Sequence, residues 1–455
     1  MRLYWRTFTI TLIVVVALIL IGQLPDISIL GHQMRPVDLL ADVRTTTATI
    51  AEAEANSTTT PADSSQDTTA MIPLANDRGL SVIDFATDSI TISAFVRKLH
   101  ALSSNPKGNV RIAYYGDSFI EGDILTADLR DLLQEQYGGG GVGLLDVSSV
   151  VEASRGTISQ HSTAFRTLPI NHPNYEAQHG STNLHYSIPT AATASVLFEA
   201  KGFNKTFRRH NADIHRSTIY YSTDVPITLT ATVNDSATQT FTPQPSPDIQ
   251  TATVEGDISK VLWTAKTDAS GRSWFYSVAL DKGTGVQVDN ISIRGVDGSC
   301  IRDINDHHMA QMAHLRPYDL IIFGFGLNFA SDQYAKDGYS QYRAKAKGVI
   351  EKLRRHYPQT PILIVSVSDR CQKGAGGQIS TMPCIPTLVE AQYEIARDNH
   401  VAFWNLYQAM GGANSMQRLV EDMADGKRKA NKDYTHITYD GGQILARLLL
   451  KALDK

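Results

Sequence analysis

From about Val150 to Asn290 the chain runs through short stretches of β-branched and aromatic residues with no convincing helix, while strand and helix alternate on both sides. SVLFEA, STIYYS, ITLTATV, TATVEG, VLWTAK, SWFYSVAL and VQVDNISI follow one another, separated by turn residues. That spacing predicts an antiparallel β-sandwich. Before it, apolar residues recur at helical spacing in Ile92–Leu102, Val110–Tyr115 reads as a buried strand, and Ile124–Gln136 reads as a helix closed by Gly138–Gly141. After it, Leu320–Phe325, Pro361–Val367 and Val401–Leu406 read as strands, and Ser340–His356, Leu388–Asn399 and Gly442–Leu453 as helices. Alternation of this kind predicts a three-layer α/β sandwich with a mostly parallel sheet. One α/β domain, built from segments 79–150 and 291–455, is therefore expected to carry an inserted β-domain over 151–290.

A length of 455 residues suits two folded domains with additional segments. Hydrophobic residues make up 42% and charged residues 19%, enough to bury cores. The formal net charge of −4 offers no basic surplus to meet phosphates, which excludes nucleic acid as the main partner. Three cysteines are too few for a disulfide framework.

Arg2 and Arg6 precede an uncharged apolar run, Phe8–Leu24, and Asp26 follows it. At about 1.5 Å per helical residue this run just crosses a hydrocarbon core of about 30 Å, with Tyr4 and Trp5 at the interface. Residues 1–25 are thus expected to be an uncleaved membrane anchor with the body exported, and a cleaved signal peptide is the competing reading. Residues 26–78, rich in Thr, Ala and Ser, are expected to form a flexible linker.

Ser118, in YYGDSFIEGD, follows a strand and precedes a helix. That turn would set its hydroxyl at the carboxyl edge of the sheet, although a serine there also serves as a helix cap. A serine nucleophile needs a base. Asp433, three residues before His436, can fold back onto Nδ1 and leave Nε2 free to take a proton; a surface histidine beside a capping aspartate is the plainer alternative. Asn328, in Gly324-Phe325-Gly326-Leu327-Asn328 at a strand end, could donate to an oxyanion or simply make a turn. Gly295-Val296-Asp297-Gly298 offers backbone N–H groups close to a ligand. His307, His308 and His314 cluster without tidy ligand spacing, so no metal is expected, and no cofactor is implied.

The order of these four blocks resembles the SGNH (GDSL-type) hydrolase family, through Gly116-Asp117-Ser118, Gly298, Gly326-Leu327-Asn328 and Asp433-Tyr434-Thr435-His436. The resemblance implies a flavodoxin-like fold with Ser118 as nucleophile, His436 as general base and Asp433 as its orienting partner. It also implies an oxyanion hole from the Ser118 and Gly298 N–H groups and the Asn328 amide. Asp117, Gly326 and Arg370 are further candidates for substrate contact. Phe119 replaces the usual Leu, and Phe329 stands where the family often has Asp. The arrangement is similar to periplasmic peptidoglycan O-acetylesterases, some of which carry a carbohydrate-binding-like β-sandwich; Trp263, Trp274, Tyr220 and Tyr221 could stack on sugars or fill the core. It implies an esterase acting on acylated polysaccharide or peptidoglycan outside the cytoplasm. An O-acetyltransferase supplied by a membrane acyl-donor protein, and a non-catalytic glycan-binding protein, are the alternatives. In an oxidising compartment Cys371 and Cys384 could form a disulfide across a Gly-rich loop, with two unpaired thiols as the alternative.

Overall fold

Strands whose consecutive residues are all buried must be covered on both faces. Ile362–Val365 and Ala402–Trp404 are buried throughout, as are the last residues of Asn109–Gly116 and the first four of Leu320–Gly324. The computed structural model describes residues 28–29, 32–33 and 81–454, except 203, 268–271 and 375. Its central sheet comprises β1 (Ile83–Asp84), β2 (Asn109–Gly116), β3 (Gly285–Ser292), β4 (Leu320–Gly324), β5 (Ile362–Val365) and β6 (Ala402–Trp404). The spatial order is β3-β2-β4-β5-β6-β1, parallel except for β1 at the edge. The five parallel strands therefore run in the flavodoxin-like order, in which ligands sit beyond the carboxyl ends beside the first strand, here β2.

The helices are α1 (Ile92–Ala101), α2 (Thr126–Tyr137), α3 (Asp306–Leu315), α4 (Ser340–His356), α5 (Cys384–Asp398) and α6 (Tyr439–Leu453). Helix α2 packs on α6, and α4 packs on both α3 and α5. The Thr91 hydroxyl caps α1 by accepting from Ala94 N–H at 3.0 Å. Helix α2 starts later than its apolar spacing suggests, because Asp123 (φ 73°) and Leu125 (φ 66°) break the entry. Helix α3, read from sequence only as a histidine cluster, is anchored by buried Met309 and Met312.

The β-rich segment forms two antiparallel sheets. One has the order 246–255, 216–223, 273–281, 185–189, 165–169, with 141–145 also paired to 273–281; the other runs 237–241, 227–233, 260–267, 193–199, 159–163. Phe198, Ile219, Leu229, Trp263 and Phe275 belong to one core. Trp263, Trp274, Tyr220 and Tyr221 are all buried, which removes them as sugar-stacking surfaces. The sandwich strands span Gly141 to Asp281, whereas VQVDNISI, grouped by sequence with the sandwich, is β3 of the parallel sheet.

The expected membrane helix (1–25) and most of the linker (26–78) lie outside the described residues; within the linker, Ser28–Ile29 pairs antiparallel with His32–Gln33. Among the described residues no helix is long and apolar enough to cross a membrane.

Candidate active site

Strand β2 ends at Gly116, and the chain turns at once, with Ile120 N–H donating to Asp117 O at 3.2 Å. Ser118 lies in this turn. It does not cap α2, because a short 3₁₀ turn, Glu121–Asp123, intervenes and Leu125 occupies the cap. Capping is thereby removed as the reason for this serine.

The Ser118 Oγ lies 2.8 Å from His436 Nε2, and His436 Nδ1 lies 2.7 Å from Asp433 Oδ2. These distances fix the tautomer: Nδ1–H donates to the carboxylate, and Nε2 is left to accept the serine proton. Asp433 also accepts from the N–H groups of Thr435 and His436, each at 3.0 Å. Burial pushes the Asp433 carboxyl up, but the His436 ring and these N–H donors outweigh it, so the group sits below the usual carboxylate range. The loop is pinned on both sides. Asn431 N–H donates to His436 O at 2.7 Å, and Cys371 N–H donates to Tyr434 O at 3.0 Å. Tyr434 adopts φ 55°, which turns the chain back between acid and base.

Asp117 is not placed to bind substrate. It is 2% exposed, and its two oxygens accept from Phe119 N–H at 2.9 Å and Asn328 Nδ2 at 2.8 Å. Burial raises its carboxyl to about 6, against the pull of the Phe119 N–H, the His436 charge and the Asn328 amide. Asn328 Nδ2 donates in addition to Val296 O at 3.1 Å. Both of its hydrogens are thus engaged, and the amide braces the nucleophile turn against the glycine block. Among the described residues the Ser118 and Gly298 N–H groups have no acceptor.

Glycine is required at 298: φ is 84°, and a Cβ there would lie 2.6 Å from the Phe325 ring and 2.7 Å from Phe323. At Gly295 the φ is 78°, but a Cβ would meet nothing within 4 Å. Gly326 is held to glycine by packing; a Cβ would lie 2.8 Å from Gln392 Nε2 and 2.9 Å from the Tyr342 hydroxyl. The Arg370 side chain is half-buried and has no partner among the described residues, and its carbonyl accepts from Met382 N–H at 2.8 Å.

The candidate disulfide is absent: Cys371 and Cys384 are buried free thiols. Cys371 lies in a strand pair opposite Thr381 and points its Sγ at Asp369, 3.4 Å away, while Cys384 opens α5, so the two thiols belong to different elements.

Two supports were not legible in the sequence. Asp123 is fully buried and is held by Arg130 at 2.8 Å through both oxygens, by Thr126 at 2.7 Å and by Thr157 at 2.8 Å. The Tyr439 hydroxyl donates to Gly122 O at 2.6 Å and accepts from Gly156 N–H at 2.8 Å, tying the serine loop, the histidine end and the insertion together. Their only sequence trace is position, a few residues past Ser118 and His436.

A doubly wound sheet with a Ser-His-Asp relay at the carboxyl end of its first strand defines an SGNH-type carboxylic ester hydrolase. Residues 235–444 match the model of the GDSL-like lipase/acylhydrolase family. The matched stretch contains Asp433 and His436 but begins after Ser118, which the fold supplies from before the insertion. A solved peptidoglycan O-acetylesterase superposes with a TM-score of 0.64 at 19% identity, covering 82% of this chain and 98% of that one. Looser likenesses are a salicylyl-acyltransferase of a tetracycline pathway (TM-score 0.25, 14% identity, 64% of this chain and 95% of that one) and a family two carbohydrate esterase from Clostridium thermocellum (TM-score 0.26, 10% identity, 63% and 96%). No curated protein matches the sequence.

Proposed function

We propose that the protein removes acetyl groups from O-acetylated peptidoglycan through an acyl-enzyme on Ser118. The observation that carries this reading is the continuous relay from Asp433 through His436 to Ser118. Likeness across both domains to a peptidoglycan O-acetylesterase supports the choice of substrate. In the first step Ser118 Oγ bonds to the ester carbonyl carbon as its proton passes to His436 Nε2. The resulting imidazolium is stabilised by Asp433, and the oxyanion is taken up by the Ser118 and Gly298 N–H groups. Collapse expels the sugar oxygen, which takes the proton from His436. Water then attacks the acyl-enzyme with His436 as base, releasing acetate. Asn328 acts here by holding Asp117 and the glycine block, and joins the oxyanion hole only by giving up one of its two acceptors. The same reading takes the body to be exported and held at a membrane by residues 1–25, on the strength of the Arg2 and Arg6 flank.

Incubating the full chain with O-acetylated peptidoglycan and following free acetate tests the proposal. Release is expected to fall by about 10⁴-fold or more in Ser118→Ala with an unchanged melting temperature. Acetyl appearing on an added glycan acceptor, with none free, would make the enzyme a transferase. Binding without any acetyl turnover would leave a glycan-binding protein and sink the proposal.

A further inference from the structure

A cavity of about 130 Å³ lies between the carboxyl end of β3 and the inserted sandwich. Glu121, Ser292 and Arg294 line it from the catalytic side, and Asp146, Arg155 and His185 from the other. It borders the nucleophile turn in two ways. Ser292 pairs with Gly116, two residues before Ser118, with Ile293 N–H donating to Gly116 O at 3.1 Å; and Glu121 lies just after Ser118. Gly156, next to Arg155, is bonded to the Tyr439 hydroxyl, just past His436.

The acids of this cavity are answered from within the protein. Glu121 accepts from Arg294 Nε at 2.7 Å. Asp146 accepts from Asn183 Nδ2 at 2.7 Å, with His185 Nδ1 at 3.7 Å. Arg155 makes no such direct contact, although its charge helps to hold the buried Asp123 carboxyl down. It is only 8% exposed, its Nη1 is buried without an acceptor, and among the described residues its guanidinium has no hydrogen bond or ion pair. Asp123, which Thr157 reaches from two residues further on, already has its oxygens filled by Arg130, Thr126 and Thr157. A buried cation left unpaired is costly, and a guanidinium matches a carboxylate with two parallel hydrogen bonds. In volume the cavity is near the roughly 150 Å³ that accepts a benzene ring, so it admits a small acidic side group and not a whole sugar.

We infer that this cavity is a specificity pocket in which Arg155 binds a carboxylate carried by the glycan whose ester Ser118 cleaves. The inserted domain then forms one wall of the substrate cleft. The inference rests on the glycan-ester reading above.

Calorimetric titration of the full-length Ser118→Ala protein with N-acetylmuramic acid, and separately with N-acetylglucosamine, tests it. The acid is expected to bind about tenfold or more tightly than the neutral sugar, and Arg155→Gln to abolish the difference. In the Ser118 background, Arg155→Gln should leave the kcat/KM for p-nitrophenyl acetate within about twofold of the parent, because that ester carries no carboxylate. If Arg155→Gln melts early, Asn171→Asp at the exposed edge of the cavity makes the same test by adding a repelling charge, and should weaken the acid alone. Equal binding of the two sugars, no binding of either, or a preference unchanged by both variants would overturn the pocket. Failure to release acetate from peptidoglycan would overturn the proposed function and leave this binding result standing.

Discussion

At the nucleophile, the residue that pays for the geometry is Asp117. Its carboxyl is raised from 3.8 to about 6 because burial disfavours the charge more than Phe119, His436 and Asn328 favour it. A folded-state value above the unfolded one means stability fully present below about pH 4 that is lost as pH rises through about 6. Asp117→Asn does not titrate in this window. Its stability relative to the parent should therefore rise between about pH 4 and pH 7, by up to about 3 kcal/mol for a shift of this size. Urea unfolding of both proteins at the two pH values measures it, and a flat difference would refute the account. Ser118, Asp433 and His436 were legible in the sequence because Asp-x-x-His is a local pattern and Gly-Asp-Ser marks a strand end. The true work of Asn328 was not, because its partner Asp117 is 211 positions away. The cysteine pair misled for the same reason: spacing reports nearness along the chain, not which elements the thiols occupy.

Among the elements, β3 shows why the insertion's far edge was misread. Val286, Val288 and Ile291 alternate with polar residues as on a half-exposed sandwich strand, yet Gln287, Asp289 and Asn290 are buried too. Each is met by a distant group: Gln287 Oε1 accepts from Arg111 Nε at 3.0 Å, Asp289 accepts from Arg316 Nη2 at 2.7 Å, and Asn290 donates to Ile120 O at 2.8 Å. Period-two patterning cannot distinguish a polar side chain facing water from one facing a buried partner. Helix α4 raised no such conflict, and its bounds, Ser340–His356, were those the apolar spacing predicted. The loop after β3 offers a sharp comparison of its two glycines. Gly298→Ala must strain a positive φ and displace the Phe325 ring, at about 1–3 kcal/mol, and should lower kcat/KM by shifting the oxyanion donor. Gly295→Ala strains φ alone in open space and should cost about 1 kcal/mol with activity retained. Denaturant midpoints and acetyl-ester kinetics on the pair check this; equal losses of activity would remove Gly298 from the oxyanion hole.

For the molecule as a whole, the question is whether the inserted sandwich is a passenger or part of the enzyme's fold. A buried network answers it. Arg316, at the end of α3, bonds Asp289 of β3 at 2.5 Å and 2.7 Å and Asp281 of the sandwich at 3.3 Å. Asp289 also accepts from the Tyr318 hydroxyl at 2.9 Å and, across the boundary, from Leu144 N–H of the sandwich at 3.0 Å. Burial would raise the Asp289 carboxyl, but Arg316, Arg111 and Tyr318 hold it below the usual range. Removing Arg316 leaves buried carboxylates on both sides of the boundary without the cation bonded to them, with only the more distant charge of Arg111 remaining, a defect that costs about 3–5 kcal/mol. Because those carboxylates belong to both parts, the loss should fall on the whole body and not on one half. Scanning calorimetry of the parent should show one transition for the catalytic domain and sandwich together, and Arg316→Leu should move that transition down without splitting it. Two transitions in the parent, or a shift of only one, would mean that the sandwich folds independently and that its contact with the catalytic sheet is incidental.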